Sequence, residues 1–226
     1  YTEDVSRRLT ATADFVEAAQ VDQGRLSGFG FPLVQKARRG GYDGRGVVVM
    51  KSSDDAAQAL PVPSLLERFV PAAKELAVIV VRAQDGEVRS YEPVEMCFRA
   101  GENILDMLLA PARIEPRVAA AARRLATETV SALGGVGIFG VELFLTEDDE
   151  LLVNEIAPRT HNSGHYTMDA CASSQFEQHL RAVCGLPLGS VALEYSAAMR
   201  NVLCTPPLLS EGLTRSAGVE TRGSTR

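Results

Sequence analysis

Two apolar runs, 137–145 (GIFGVELFL) and 151–157 (LLVNEIA), flank a short polar stretch at 146–150 (TEDDE). Two strand-length segments joined by a polar turn predict a β-hairpin. Each strand carries one acid in a largely apolar context, and this limits the fold more than any other feature. With a four-residue loop at 147–150, Thr146 faces Leu151, and counting back sets Glu142 opposite Glu155. The two carboxylates then share one face, where like charges oppose each other. Their apolar neighbours predict poor access of either acid to bulk water. A cation between them is expected, and hard Mg²⁺, with Mn²⁺ as its substitute, takes carboxylate oxygens. Asn154 adds a neutral oxygen beside them. The alternative is a register one residue away, with both acids facing solvent.

The remaining pattern is mixed. Strands are expected at 10–17, 31–38, 47–50, 65–70, 76–82 and 88–91, with one helical turn within 21–30. Ser52 to Asp55 offers N-cap residues ahead of 56–60. Val118, Ala122, Leu125, Thr129 and Leu133 recur at helical spacing, and Gly134-Gly135 follows, which predicts a helix over 116–133. A second helix is expected over 175–184, stopped by Gly185 and Pro187. The fold class expected is α+β. From residue 205 onward large apolar residues are few, and a poorly ordered tail is expected.

Of the 226 residues 46% are hydrophobic, enough for one large domain or two small ones. The net charge of −6 counts against nucleic-acid binding, which needs cations to offset phosphates. No run approaches the roughly 20 apolar residues of a membrane helix. Cys97, Cys171, Cys184 and Cys204 form no Cys-x-x-Cys pair, and a reducing cytoplasm is the expected compartment. The first residue is Tyr, with no signal-peptide pattern after it, so the chain is expected to begin inside a longer one.

Residues 36–46 (KARRGGYDGRG) place four cations, Lys36, Arg38, Arg39 and Arg45, around four glycines. Glycines let backbone N–H groups approach phosphate oxygens, and Lys36 supplies a point charge. No Gly-Lys-Ser/Thr follows, so this is not a Walker A loop. A tight hairpin with a solvated basic rim, or an Arg-Gly RNA-binding segment, are the other readings; the acidic balance disfavours the second. After Glu155 comes 157–166 (APRTHNSGHY). His161 and His165 stand four apart, but Pro158, Asn162, Ser163 and Gly164 oppose the helix that would make the pair a zinc site. Arg159 and the histidines better fit anion binding and proton handling, with a structural hydrogen bond as the plain reading of His165.

In this order the pieces resemble the ATP-grasp superfamily and, within it, the 5-(carboxyamino)imidazole ribonucleotide synthases of purine biosynthesis. The resemblance lies in GGYDGRG at 40–46, NEIAPRTHNSGH at 154–165 and SQFEQHLRAVCGLPLGS at 174–190, and covers about residues 10–203. It implies an ATP-grasp fold: a small lid subdomain at 1–70, a larger antiparallel-sheet subdomain with flanking helices at 71–204, and a tail at 205–226. It implies ATP and Mg²⁺ as cofactors, bicarbonate and aminoimidazole ribonucleotide as substrates, and a homodimer. Lys36 would contact ATP phosphates beneath a lid formed by Gly41, Tyr42, Asp43, Gly44 and Arg45, which would order when nucleotide binds. Glu67, Arg68, Phe69 and Val70 would form the adenine hinge, and Glu75 would hold the ribose. Glu142, Glu155 and Asn154 would ligate the metal. Arg159 would steady bicarbonate, His161 and Asn162 would face the amine, and Tyr42, Asp43 and Arg45 would close over the ribonucleotide. The family also has an N-terminal α/β domain and a C-terminal barrel-like segment, and this chain is expected to be a fragment without them that turns over poorly alone. Another ATP-grasp ligase, such as a formate-dependent transformylase or a biotin carboxylase, or a non-catalytic ATP-binding module, are the alternatives.

Overall fold

Pro71 has no N–H to give to a ladder, and around it the chain leaves one sheet for another. The computed structural model describes residues 12–40, 46–99 and 105–202. Before Pro71 lie β1 (Phe15–Ala18), β2 (Leu33–Ala37), β3 (Val47–Met50) and β4 (Ser64–Arg68), an antiparallel sheet of order β1-β4-β2-β3. Helix α1 (Gln23–Phe29) begins at Asp22, whose carboxylate accepts the Arg25 N–H at 2.8 Å. It covers a small core of Ala18, Leu26, Leu33, Met50 and Leu66. Ser52 and Asp55 form the capping box of a 3-10 helix at Ser53–Gln58, in line with the N-cap reading.

Strand alternation decides what this small sheet offers the rest of the molecule. Leu33 and Gln35 face inward on β2. The buried Gln35 amide is fully satisfied, donating to Leu60 O and Ser64 Oγ and accepting the Leu60 N–H. Lys36 therefore takes the other face, together with Glu67 of β4.

After Pro71 come β5 (Ala72–Arg82), β6 (Val88–Ser90), β7 (Val94–Phe98), β8 (Leu105–Ala110), β9 (Gly137–Thr146), β10 (Leu151–Ala157) and β11 (Ala197–Arg200). Their order is β10-β9-β5-β7-β8-β11, with β6 paired to β5. Helix α2 spans Pro116–Leu133, as its periodicity predicts, with Pro at its start and Gly134 left-handed at its end (φ 69°). Its Val118, Ala122, Ala126 and Val130 pack on Leu76, Val78, Val80, Val141 and Leu143 of β5 and β9. Across the sheet, α3 (Thr167–Ala170) and α4 (Gln175–Val183) close the other face, and Ala182 of α4 packs with Ile79, Val81 and Ile138.

Several elements depart from the sequence reading. β1 is shorter than 10–17 and β5 starts earlier than 76. The stretch at 21–30 forms the seven-residue α1 rather than a single turn. β7, β8 and β11 were not expected. β7 hides its pattern because a charged residue, Glu95, is buried on it. Hydrogen bonds from Arg113 (2.6 Å) and then Lys74 (3.0 Å) hold that carboxyl down at about 2, against the opposing effect of burial. Gly41, Tyr42, Asp43, Gly44 and Arg45, and the tail at 205–226, lie outside the described residues. Among the described residues no helix is long and apolar enough to cross a membrane.

Candidate active site

The hairpin forms, but its register is not the one the count assumed. Leu151 pairs with Leu145, not Thr146, and Val153 with Leu143. A bulge between Val153 and Glu155 then adds one residue, and Glu155 comes to stand opposite Glu142. The expected pairing is reached by two offsets that cancel. Without the bulge Glu155 would oppose Val141, which is buried under α2. A bulge beside a site re-aims side chains in this way. Here it turns both acids to the face shared with Glu75.

Burial is asymmetric, contrary to the expectation that both acids avoid water. β10 is the sheet's edge strand, so Glu155 is exposed, while Glu142 on the inner β9 is largely buried. Desolvation, then the charges of Glu155 and Glu75, push the Glu142 carboxyl up to about 8; Lys36 and Arg159 partly offset them. Burial also raises Glu75. Glu142 thus feels two other acids, Glu155 and Glu75, and two cations, Lys36 and Arg159.

Lys36 crosses between the sheets. Its Nζ lies 2.7 Å from Glu67 Oε2 and donates to Asn154 Oδ1 at 2.9 Å. Asn154, expected beside the metal, gives its oxygen to Lys36 instead, because the bulge that frees its side chain turns it toward the small sheet. The third group near the carboxylates is His161: ligand atoms of Glu142, Glu155 and His161 lie within 4.8 Å of one another. His161 Nε2 is 3.4 Å from Glu142 Oε1. His165 is elsewhere, stacked on Phe176 at 5.9 Å between ring centroids, so the two histidines share no site.

The donor set fits a hard divalent cation. Two facing carboxylates, the inner one pushed up to about 8 by burial and by its acidic neighbours, supply oxygen ligands that a cation would hold in their ionised form. Glu142 and Glu155 are the groups that would hold it, with His161 at their rim.

The hinge residues divide. Glu67 faces the site. Arg68 turns away, its guanidinium 3.6 Å from Asp14 and 5.5 Å from the centroid of the Phe29 ring. The N–H groups of Arg68 and Phe69 are taken by Asp14 O and Pro32 O, and Val70 O accepts from Ala72. Arg159 lies on the exposed turn after β10, its Nη1 donating to Thr160 O. Asn162 Oδ1 is buried without a partner among the described residues. At the ends of the glycine loop, Gly40 (φ 75°) and Gly46 (φ 81°) are left-handed, a conformation that glycine adopts without cost.

The sequence reading missed the residues that support His161. The imidazole lies against Gly140 of β9, where a Cβ would sit 2.7 Å from the ring's Cγ. Gln175 and Ser163 hold it from the other side. The glycine inside an apolar strand was the available signal, since it marks close approach.

A pH dependence follows from Glu142. Its folded pKa of about 8 exceeds the ordinary 4.5, so the folded chain holds this proton more tightly than the unfolded one. That contribution is complete below the unfolded value and is lost as pH rises through about 8, at about 1.4 kcal/mol per unit. Without divalent cations the melting temperature should fall between pH 6 and 8.5, and fall less in Glu142→Gln. Equal slopes in the two proteins would show that Glu142 carries no such proton. Because Mg²⁺ takes the ionised form, its affinity should rise with pH over the same window.

With this geometry in hand, the known proteins give it a context. The ATP-grasp domain family matches residues 5–176. The phosphoribosylaminoimidazole carboxylase of Candida albicans is 48% identical over 179 residues, 77% of this chain and 31% of that protein. The N5-carboxyaminoimidazole ribonucleotide synthase of Synechococcus elongatus is 44% identical over 188 residues, 81% of this chain and 47% of its own. The solved N5-carboxyaminoimidazole synthase of Aspergillus clavatus, in complex with ADP and 5-aminoimidazole ribonucleotide, superposes with a TM-score of 0.82 at 35% identity, over 90% of this chain and 56% of that one. The chain thus spans about a third to a half of the curated relatives it matches. The two-sheet architecture, the bulged acidic hairpin and a family match over most of the sequence agree: this chain belongs to the ATP-grasp family.

Proposed function

We propose that this chain carries the ATP- and Mg²⁺-binding part of a ligase that carboxylates 5-aminoimidazole ribonucleotide to 5-(carboxyamino)imidazole ribonucleotide in purine biosynthesis. The observation that carries this reading is that Lys36 of one sheet reaches Asn154 of the other, beside the cluster of Glu142, Glu155 and His161. The names of the relatives, and the ADP and aminoimidazole ribonucleotide held by the Aspergillus clavatus enzyme, support it.

In this reading a bicarbonate oxygen attacks the γ-phosphorus of ATP, ADP leaves, and carboxyphosphate forms. The exocyclic amine then attacks the carboxyl carbon, the bond to phosphate breaks, and the amine proton leaves with phosphate. Mg²⁺ held by Glu142 and Glu155 supplies positive charge to the phosphate oxygens when bound. Lys36 donates to those oxygens, moving from Glu67 and Asn154 to do so. Arg159, at the open rim, steadies bicarbonate. Glu75 takes the ribose hydroxyls, and Glu67 to Val70 border the adenine. His161 and the unpartnered Asn162 oxygen face the amine, an N–H donor the latter needs.

We place the protein in the cytoplasm, a reading supported by free Cys97, Cys171 and Cys184. A homodimer is proposed on the outer face of α4, where Phe176, Leu180 and Val183 are exposed at helical spacing; sedimentation equilibrium tests it.

The test of function supplies ATP, Mg²⁺, bicarbonate and the amine, and follows phosphate and carboxylated product. Phosphate release should require bicarbonate, and product should require the amine. ATP binding without bicarbonate-dependent phosphate release would instead support a nucleotide-binding module.

A further inference from the structure

We infer that Gln175 is a positioning residue for the His161 imidazole, acting through the backbone of the loop that carries it. The side-chain amide of Gln175, wholly buried at the start of α4, pairs with both backbone groups of His161. Its Oε1 accepts the His161 N–H at 2.9 Å, and its Nε2 donates to the His161 carbonyl at 2.8 Å. The two bonds close a ring of the kind that joins neighbouring strands, but across 14 residues of sequence. They fix the loop's height and its tilt, since each bond alone would leave a pivot.

The residue is itself held. The Gln175 backbone N–H donates to Thr167 Oγ1 at 2.9 Å, and that hydroxyl donates to Gly164 O at 2.6 Å. The backbone of Gly164 packs directly on the amide: a Cβ there would lie 2.5 Å from Gln175 Oε1. Gln175, Ser163 and Thr167 are all fully buried, so no water competes for these bonds. The glycine in this segment is explained by Gln175, as Gly140 is explained by the imidazole above it.

The ring's orientation follows from what surrounds it. Nδ1 lies 2.7 Å from Ser163 Oγ, and the Ser163 backbone N–H points to it at 3.4 Å. With Nδ1 turned to Ser163, Nε2 is left as the atom 3.4 Å from Glu142 Oε1. The loop that Gln175 clamps thus sets the ring's second nitrogen against the inner carboxylate. Imidazole is also a poorer partner than oxygen for a hard cation, which agrees with a place for His161 beside the metal rather than on it. Supporting residues of this kind orient a site without touching its substrates.

The inference rests on the carboxylation reading for its kinetic consequence only. In Gln175→Leu, and in Gly164→Ala, which displaces the same amide, bicarbonate-dependent phosphate release should lose about 10–100-fold in kcat. The KM for ATP should stay within about twofold, a split that general destabilisation would not produce. Gln175→Glu is isosteric; its carboxyl accepts from the His161 N–H and, held neutral by burial, can still donate to the carbonyl, and it should show a smaller loss. It carries the test where Leu fails to fold. The second readout is the ¹⁵N spectrum of the His161 ring, assigned against His161→Gln. The native chain should show a single ring form, and the Gln175 variants a mixture. Folded variants with unchanged kcat and an unchanged His161 spectrum overturn the proposal. If the native chain shows no bicarbonate-dependent turnover, the carboxylation reading fails, and the ring spectra still decide the role of Gln175.

Discussion

Replacing Glu155 with Gln lowers Mg²⁺-dependent ATP hydrolysis by about a thousandfold or more while leaving the fold intact. The fold survives because Glu155 is exposed on an edge strand, and Gln matches its shape and can keep its place in the ladder. The activity does not, because one of the two facing carboxylates has become a neutral amide. Charge neutralisation of transferring phosphoryl oxygens by a metal is worth several kcal/mol, and each ~1.4 kcal/mol is tenfold in rate. The variant also reports on its partner. Glu155 is the largest of the charges that raise Glu142, so its loss should lower the Glu142 pKa and flatten the pH dependence of stability in the metal-free chain. Mn²⁺ titration followed by electron paramagnetic resonance measures the lost metal site without relying on turnover. Hydrolysis within tenfold of the native rate, with Mn²⁺ affinity unchanged, would mean that the hairpin does not hold the metal.

The hairpin shows how far such a site can be read from sequence. Its two strands and the turn between them follow from two apolar runs that flank a polar stretch. The register between them does not. The count began one residue off at Thr146, and the bulge at Asn154 corrected it, because no local pattern marks a bulge whose extra residue is a polar one inside a strand. The burial of the acids was misjudged for a different reason: whether a strand lies at an edge depends on which distant strands join the sheet. β7 was overlooked because Glu95 breaks the apolar run, and the partners that neutralise it, Lys74 and Arg113, are about 20 residues away on either side. Helix α2 was legible because helical spacing is a local property. The meeting of Lys36 with Asn154 spans 118 residues and lies beyond any window of sequence. His161 was singled out, but as a loop residue facing a substrate; its setting between Glu142, Gly140 and Gln175 needed three separate elements to converge.

Lys36→Met tests that convergence, and its effect should be nearly as large as that of Glu155→Gln. Lys36 serves two groups at once. It pairs with Glu67 on its own sheet and with Asn154 on the other, and its charge lowers the Glu142 pKa from across the site. Removing the ammonium takes away a charge-assisted contact to the phosphates, worth about 1.5–3 kcal/mol when a charged partner is involved. ATP affinity should therefore fall about 10–150-fold, since every 1.4 kcal/mol is tenfold. A second consequence distinguishes this role from a simple latch. With the offsetting cation gone, Glu142 should hold its proton to still higher pH, so Mg²⁺ affinity at pH 7 should drop and should recover on moving to pH 9. Lys36→Arg keeps the charge and should restore the Mg²⁺ profile, even where its wider head fits the phosphates less well. Isothermal titration of Mg²⁺ and of a non-hydrolysable ATP analogue at the two pH values separates the effects. If the Met variant loses nucleotide affinity but keeps the native Mg²⁺ profile, Lys36 touches phosphate without tuning the carboxylates. If neither changes, its bridge between the sheets is structural alone, and the cation that meets the phosphates must come from elsewhere in the chain.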